Sequence, residues 1–118
     1  MARRYKFYAA ATGTAYQYFF VEQRNVNRPE GQGSGTDYVF AVTADQQPPF
    51  VVRVFLSLRA QESWRQAHGR TLDANEMYAV AKMCLFRAFD DLEGLRNAAF
   101  SLLVDEANID DLLDPLDL

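Results

Sequence analysis

Few side chains in this 118-residue chain could do chemistry. It has one histidine, His68, and one cysteine, Cys84. An imidazole beside a carboxylate can move protons, and Glu62, Asp73 and Glu76 lie near enough in the chain to serve His68. A lone histidine cannot build a His-rich metal centre, and no Cys/His spacing supports one. Its place just before Gly69 also suits the negative end of a short helix, an ordinary structural role. Cys84 falls among apolar helical neighbours. A reactive thiol needs exposure and a lowered pKa, so the ordinary reading is a small buried side chain.

Gly31, Gly33 and Gly35 spell G-x-G-x-G. A phosphate cradle should run from a strand into a helix N-terminus, whereas this loop runs into a strand pattern. A hairpin connection fits better. Asp90, Asp91 and Glu93 form one acidic cluster, and Asp110, Asp111, Asp114 and Asp117 another. Paired carboxylates can hold a divalent cation or transfer protons, but at helix ends they read as solvated. The sequence therefore assigns no catalytic, metal-ligating or cofactor-binding residue, and no cofactor is expected.

The elements that would position these groups follow from periodicity. Asp73–Leu92 is the organising helix. Asp73 and Glu76 have the spacing of a capping box, in which each satisfies an N–H of the first turn. Val80, Cys84, Ala88, Ala81, Leu85 and Phe89 share one face at helical spacing. The opposite side carries Ala79, Met83 and Phe86. A helix apolar nearly all round needs cover on more than one side. That cover comes from the chain's own C-terminal segment or from a partner or second subunit.

Ahead of it, Tyr5–Ala10, Thr14–Arg24, Asp37–Ala44 and Phe50–Arg59 alternate as strands. Asn25–Gly35 reads as a loop, and Ala60–His68 as a short helix anchored by Trp64 and ended by Gly69. For Ala98–Val104 a helix is favoured over a strand. Asn108 is placed to cap one turn that Pro115 stops. Residues 105–118 form an acidic-apolar tail that either docks on the domain or folds on a partner. The expected fold is a single α+β domain over residues 1–118. It has an antiparallel meander of three or four strands, then a short helix, a long core helix and a C-terminal helical segment packed on one face.

Bulk composition narrows the function. Net charge is −4, with nine Lys/Arg against five Asp/Glu up to Arg70 and three against eleven beyond it. An acidic total does not favour nucleic acid. Single-stranded binding is the alternative that keeps Tyr8, Phe19, Phe55, Arg53 and Arg59 on one aromatic and basic sheet face, without the motif of a known RNA-binding module. No apolar run is long enough for a membrane span, and one cysteine makes a reducing, cytoplasmic setting the default. A further alternative is a small-ligand or enzyme domain with a pocket between sheet and helix near His68. The favoured reading is a small non-enzymatic module that binds a protein partner or a second copy of itself. Its expected contact residues are Ala79, Met83 and Phe86 with Leu112 and Leu113 of the tail, and then Arg53, Phe55 and Arg59 on the sheet.

Overall fold

Alternating side chains lay out the sheet. The computed structural model describes residues 5–28, 33–45, 47–91 and 101–116. Strands β1 (Lys6–Ala9), β2 (Ala15–Arg28), β3 (Gly33–Ala44) and β4 (Phe50–Ser57) form the antiparallel meander. Two helices follow, α1 (Leu58–His68) and α2 (Ala74–Asp91). The chain then returns as β5 (Ser101–Val104), which lies parallel to β4 and completes a five-stranded sheet in the order β1-β2-β3-β4-β5. A five-residue helix α3 (Ile109–Leu113) and a 3-10 turn (Asp114–Leu116) end the described chain. The fold is α+β.

The inner face of the sheet carries Tyr16, Tyr18, Phe40, Val42, Val52 and Val54, all buried. Helix α2 meets it with Val80, Ala81, Leu85 and Phe89, also buried. Phe89 stacks on Tyr16 at 4.2 Å between ring centroids, an aromatic pairing that adds specificity to plain burial. Trp64 anchors α1 at 2% exposure. Its start is fixed by Ser57, whose hydroxyl accepts from the Ala60 N–H at 3.0 Å, and its end by Gly69 at φ 77°. That left-handed cap favours glycine because a side chain there would crowd its own carbonyl.

The start of α2 is a reciprocal capping box. The Glu76 N–H donates to Asp73 Oδ1 at 2.8 Å, and the Asp73 N–H donates to Glu76 Oε1 at 3.0 Å. Arg70 adds two bonds to the Glu76 carboxylate, and these bonds with the cap lower its pKa from 4.5 to about 2. The stabilisation from this ionised group is full above its ordinary value and is lost as the pH falls through the lowered one. Asp73→Ala is expected to cost about 1 kcal/mol in urea melts at neutral pH, the usual loss for an N-cap. An unchanged midpoint would separate the cap from stability.

Three expectations from the sequence need correction. The favoured helix over Ala98–Val104 is, for Ser101–Val104, a strand. Central β4 is apolar on both faces and needs a neighbour on each side, and β5 supplies the second. Leu95 and Ala98–Phe100 lie outside the described residues. The loop expected at Asn25–Gly35 is mostly ladder, since β2 and β3 pair out to Arg28 opposite Gly33. Backbone bonds hold a hairpin without apolar side chains, so polar composition hid it. Finally, Asn108 precedes α3 but makes no side-chain cap. Its amide donates to the Leu103 carbonyl and its oxygen accepts from the Asp105 N–H, both at 2.8 Å, which ties the tail to the end of β5.

Candidate functional site

Directly opposed residues in an antiparallel pair share a face. Phe19 opposes Ala41, and Ala41 opposes Val51. The Tyr5 ring meets Phe19 edge-on at 4.7 Å. Tyr5, just before β1, thus continues a row formed by Phe19, Ala41 and Val51 across β2, β3 and β4, on the face turned away from α1 and α2. Phe7, opposite Gln17, stands beside that row. Phe7 is 64% exposed, Val51 41% and Tyr5 39%, among the largest exposures of big apolar side chains in the described residues. The next row holds Val39 opposite Arg53, with Ser101 beyond. Arg53 is half-buried and makes no ion pair among the described residues. An apolar row with an uncompensated guanidinium beside it can hold apolar side chains and accept a carboxylate.

The far end of the same face is closed. Phe55 is 1% exposed, with the Arg28 guanidinium 4.9 Å above its ring. Arg28 donates to both oxygens of Asp37 at 2.8 and 2.7 Å, and Asp37 is buried. A bulge between Phe20 and Glu22 sets this up. Past the extra residue Val21, the outward positions become Glu22, Arg24, Val26 and Arg28. The inward positions, Asn25 and Asn27, line an open groove of about 560 Å³ with Ser34, Thr36, Gln61 and Met77.

The contact residues expected from the sequence do not form one surface. Phe86 stacks on Tyr8 at 4.6 Å and meets Tyr18 edge-on, so the sheet covers it through β1 and β2. Met83 packs on the core with it, and Ala79 is half-buried. Leu112 and Leu113 are buried because the tail docks on α2 and α1. Phe55 is sealed by Arg28. Arg59 lies in α1, since β4 stops at Ser57, and so cannot share a face with Arg53. Of the sheet residues named for nucleic acid, Tyr8 points inward instead. Only Arg53 and Phe19 remain on the open face. Alternation in β1 separated Tyr5 and Phe7 from Lys6 and Tyr8, but which set faced the core depended on pairing with Tyr16 and Tyr18.

The chemically capable groups are occupied. His68 stacks on Trp64 and sits 2.9 Å from Asp110, not from Glu62, Asp73 or Glu76. It does not line the groove beside Asn25 and Asn27. Burial pushes the Cys84 thiol up to about 11, which suppresses the thiolate at neutral pH. Asp90 is not merely solvated. It accepts from the Tyr8 hydroxyl at 2.6 Å and from the Ala11 N–H at 2.8 Å. That hydrogen bond, with burial and the nearby acidic charge, raises the Tyr8 hydroxyl to about 12. Among the described residues no group of three His, Cys, Asp or Glu side chains could hold a metal ion, and no helix is long and apolar enough to cross a membrane. No family model, curated protein or solved structure matches the chain.

Proposed function

We propose that the protein is an interaction module that docks an acidic, apolar segment of a partner protein on the open face of its sheet. The observation that carries this reading is the row of exposed Tyr5 and Val51 and half-buried Phe19, with exposed Phe7 alongside, set beside Arg53. Interface centres are rich in aromatic and arginine anchors, and the face offers both. Among the described residues of this face, Arg24 is matched with Glu22 and Arg28 with Asp37, which leaves Arg53 to select a carboxylate. A phosphate chain calls for several free cations along its path, and the described residues of this face offer Arg53.

The test is fluorescence anisotropy with a peptide alternating leucine and aspartate, beside its leucine–lysine counterpart and an oligo-dT strand at two salt concentrations. The acidic peptide should bind best. Arg53→Glu and Phe7→Asp should each weaken it at least about tenfold, the loss of one anchor worth about 1.4 kcal/mol, with circular dichroism unchanged. Equal binding of the two peptides, indifference to both substitutions, or preference for oligo-dT would each overturn the reading. Sedimentation over a range of concentrations covers self-association, and a dimer that Phe7→Asp splits would replace the acidic partner with a second copy.

A further inference from the structure

Strand β2 outruns its first neighbour. It has 14 residues, and β1 pairs with it only from Ala15 to Tyr18. On its other side β3 pairs with it out to Arg28. From Phe19 to Arg28, therefore, the outer edge of β2 has no strand beside it among the described residues. In an antiparallel pair alternate residues turn both backbone N–H and C=O away from their neighbour, so these groups stand ready for another chain. Proteins guard such edges with bulges, charges and proline. The bulge between Phe20 and Glu22 and the ion pair of Glu22 with Arg24 guard the first half. Asn25, Val26 and Asn27 carry no such guard.

Beside this stretch lies the groove floored by the inward side of the hairpin. Its polar lining is Asn25, Asn27, Ser34, Thr36 and Gln61, and none of its described lining residues is charged. These five side chains make one hydrogen bond among the described residues, from the Thr36 hydroxyl to the Asn25 carboxamide oxygen at 3.3 Å. Asn27, Ser34 and Gln61 keep their side-chain donors and acceptors open among the described residues. Leu58, 49% exposed, and Met77 supply apolar walls. A charge buried there would find no counterion, whereas carboxamides and hydroxyls both donate and accept.

We propose that this end of the sheet binds an extended, uncharged peptide segment of a partner protein, which adds to β2 as a further strand and turns alternate hydroxyl and carboxamide side chains into the groove. The edge supplies main-chain hydrogen bonds and the groove selects side chains, the division of labour of strand-addition sites. An added strand runs about 4.8 Å from its neighbour, so its inward side chains fall beside Asn25 and Asn27. A saccharide would engage the carboxamides but not the row of backbone groups, and the described lining residues include no aromatic ring for a sugar to stack on. The site lies on the inward side of the hairpin, separate from the outward face of Arg53, and it takes a neutral segment where that face takes an acidic one.

The full chain is titrated with a capped peptide alternating threonine and asparagine, followed by fluorescence anisotropy and amide hydrogen exchange. Binding should slow exchange within Arg24–Arg28 several-fold and leave Lys6–Ala9 unchanged. Methylating one alternate set of the peptide's backbone nitrogens should abolish binding, because that set faces β2, while methylating the other set should not. Aspartate in place of the peptide's asparagines should weaken binding about tenfold, and so should Asn27→Asp and Gln61→Glu in the protein, with circular dichroism unchanged. Equal binding of the two methylated peptides, equal binding of the aspartate peptide, indifference to both substitutions, or no binding at all would each overturn the proposal. So would tighter binding of cellopentaose, or a dimer in sedimentation that Asn25→Lys splits, which would give the edge to a second copy.

Discussion

Gly35→Ala is expected to destabilise the protein by roughly 3 kcal/mol, the upper part of the usual range for overpacking. A Cβ at this position would lie 2.4 Å from the Leu56 carbonyl oxygen and 2.6 and 2.8 Å from two atoms of the Phe55 ring. Neither neighbour can move aside easily. The Leu56 carbonyl belongs to a central strand paired on both sides, and Phe55 is held under the Arg28 guanidinium. Gly35 is therefore a site of close approach, and its backbone angles are not the reason for glycine. The hairpin formed by β2 and β3 can lie against β4 only where this side chain is missing. Urea denaturation of the two proteins checks it. An unchanged midpoint would mean that the hairpin pivots off β4 at little cost.

The second large effect is expected at Arg28. Arg28→Ala removes the partner of Asp37, a carboxylate whose side chain is 4% exposed. Breaking a buried pair from one side costs about 3–5 kcal/mol, because the remaining charge is left without water or partner. The Arg28 side chain is 33% exposed, which places the expected cost near the low end. The exposed pair between Arg24 and Glu22, with Arg24 four residues before Arg28 in β2, gives the contrast. An ion pair in water contributes only about 0–1 kcal/mol, so Arg24→Ala is a control. Replacing Arg28 and Asp37 together with leucine should recover most of the loss, since an apolar pair in that place has no desolvation cost. Thermal unfolding of the single and double variants measures the coupling. A single variant as stable as the wild type would mean that Asp37 finds other partners or water.

The elements whose signals are local were legible in the sequence. The Asp73 and Glu76 box, the Gly69 stop and the period of α2 each lie within a few residues, and the structure places all three as expected. The alternation of β4 was equally clear, and the buried state of Cys84 followed from the helix face it shares. These features depend on backbone geometry and on burial that a single period encodes.

What only the tertiary structure decided depends on pairing between distant segments. The sequence could divide Phe7 from Tyr8, but it took the register with Tyr16 and Gln17 to send one outward and the other onto Phe86. The apolar side of α2 at Phe86 called for cover, and only packing showed that β1 and β2 provide it. Phe55 stood in an alternating strand as a surface residue until the bulge near Val21 turned Arg28 over it. Ser101–Val104 had both helical and strand character, and the open edge of β4 selected the strand. Lys82 reaches the Tyr18 ring because α2 crosses the inner face above β1 and β2, a long-range arrangement fixed by the stacked rings of the core that no local period encodes.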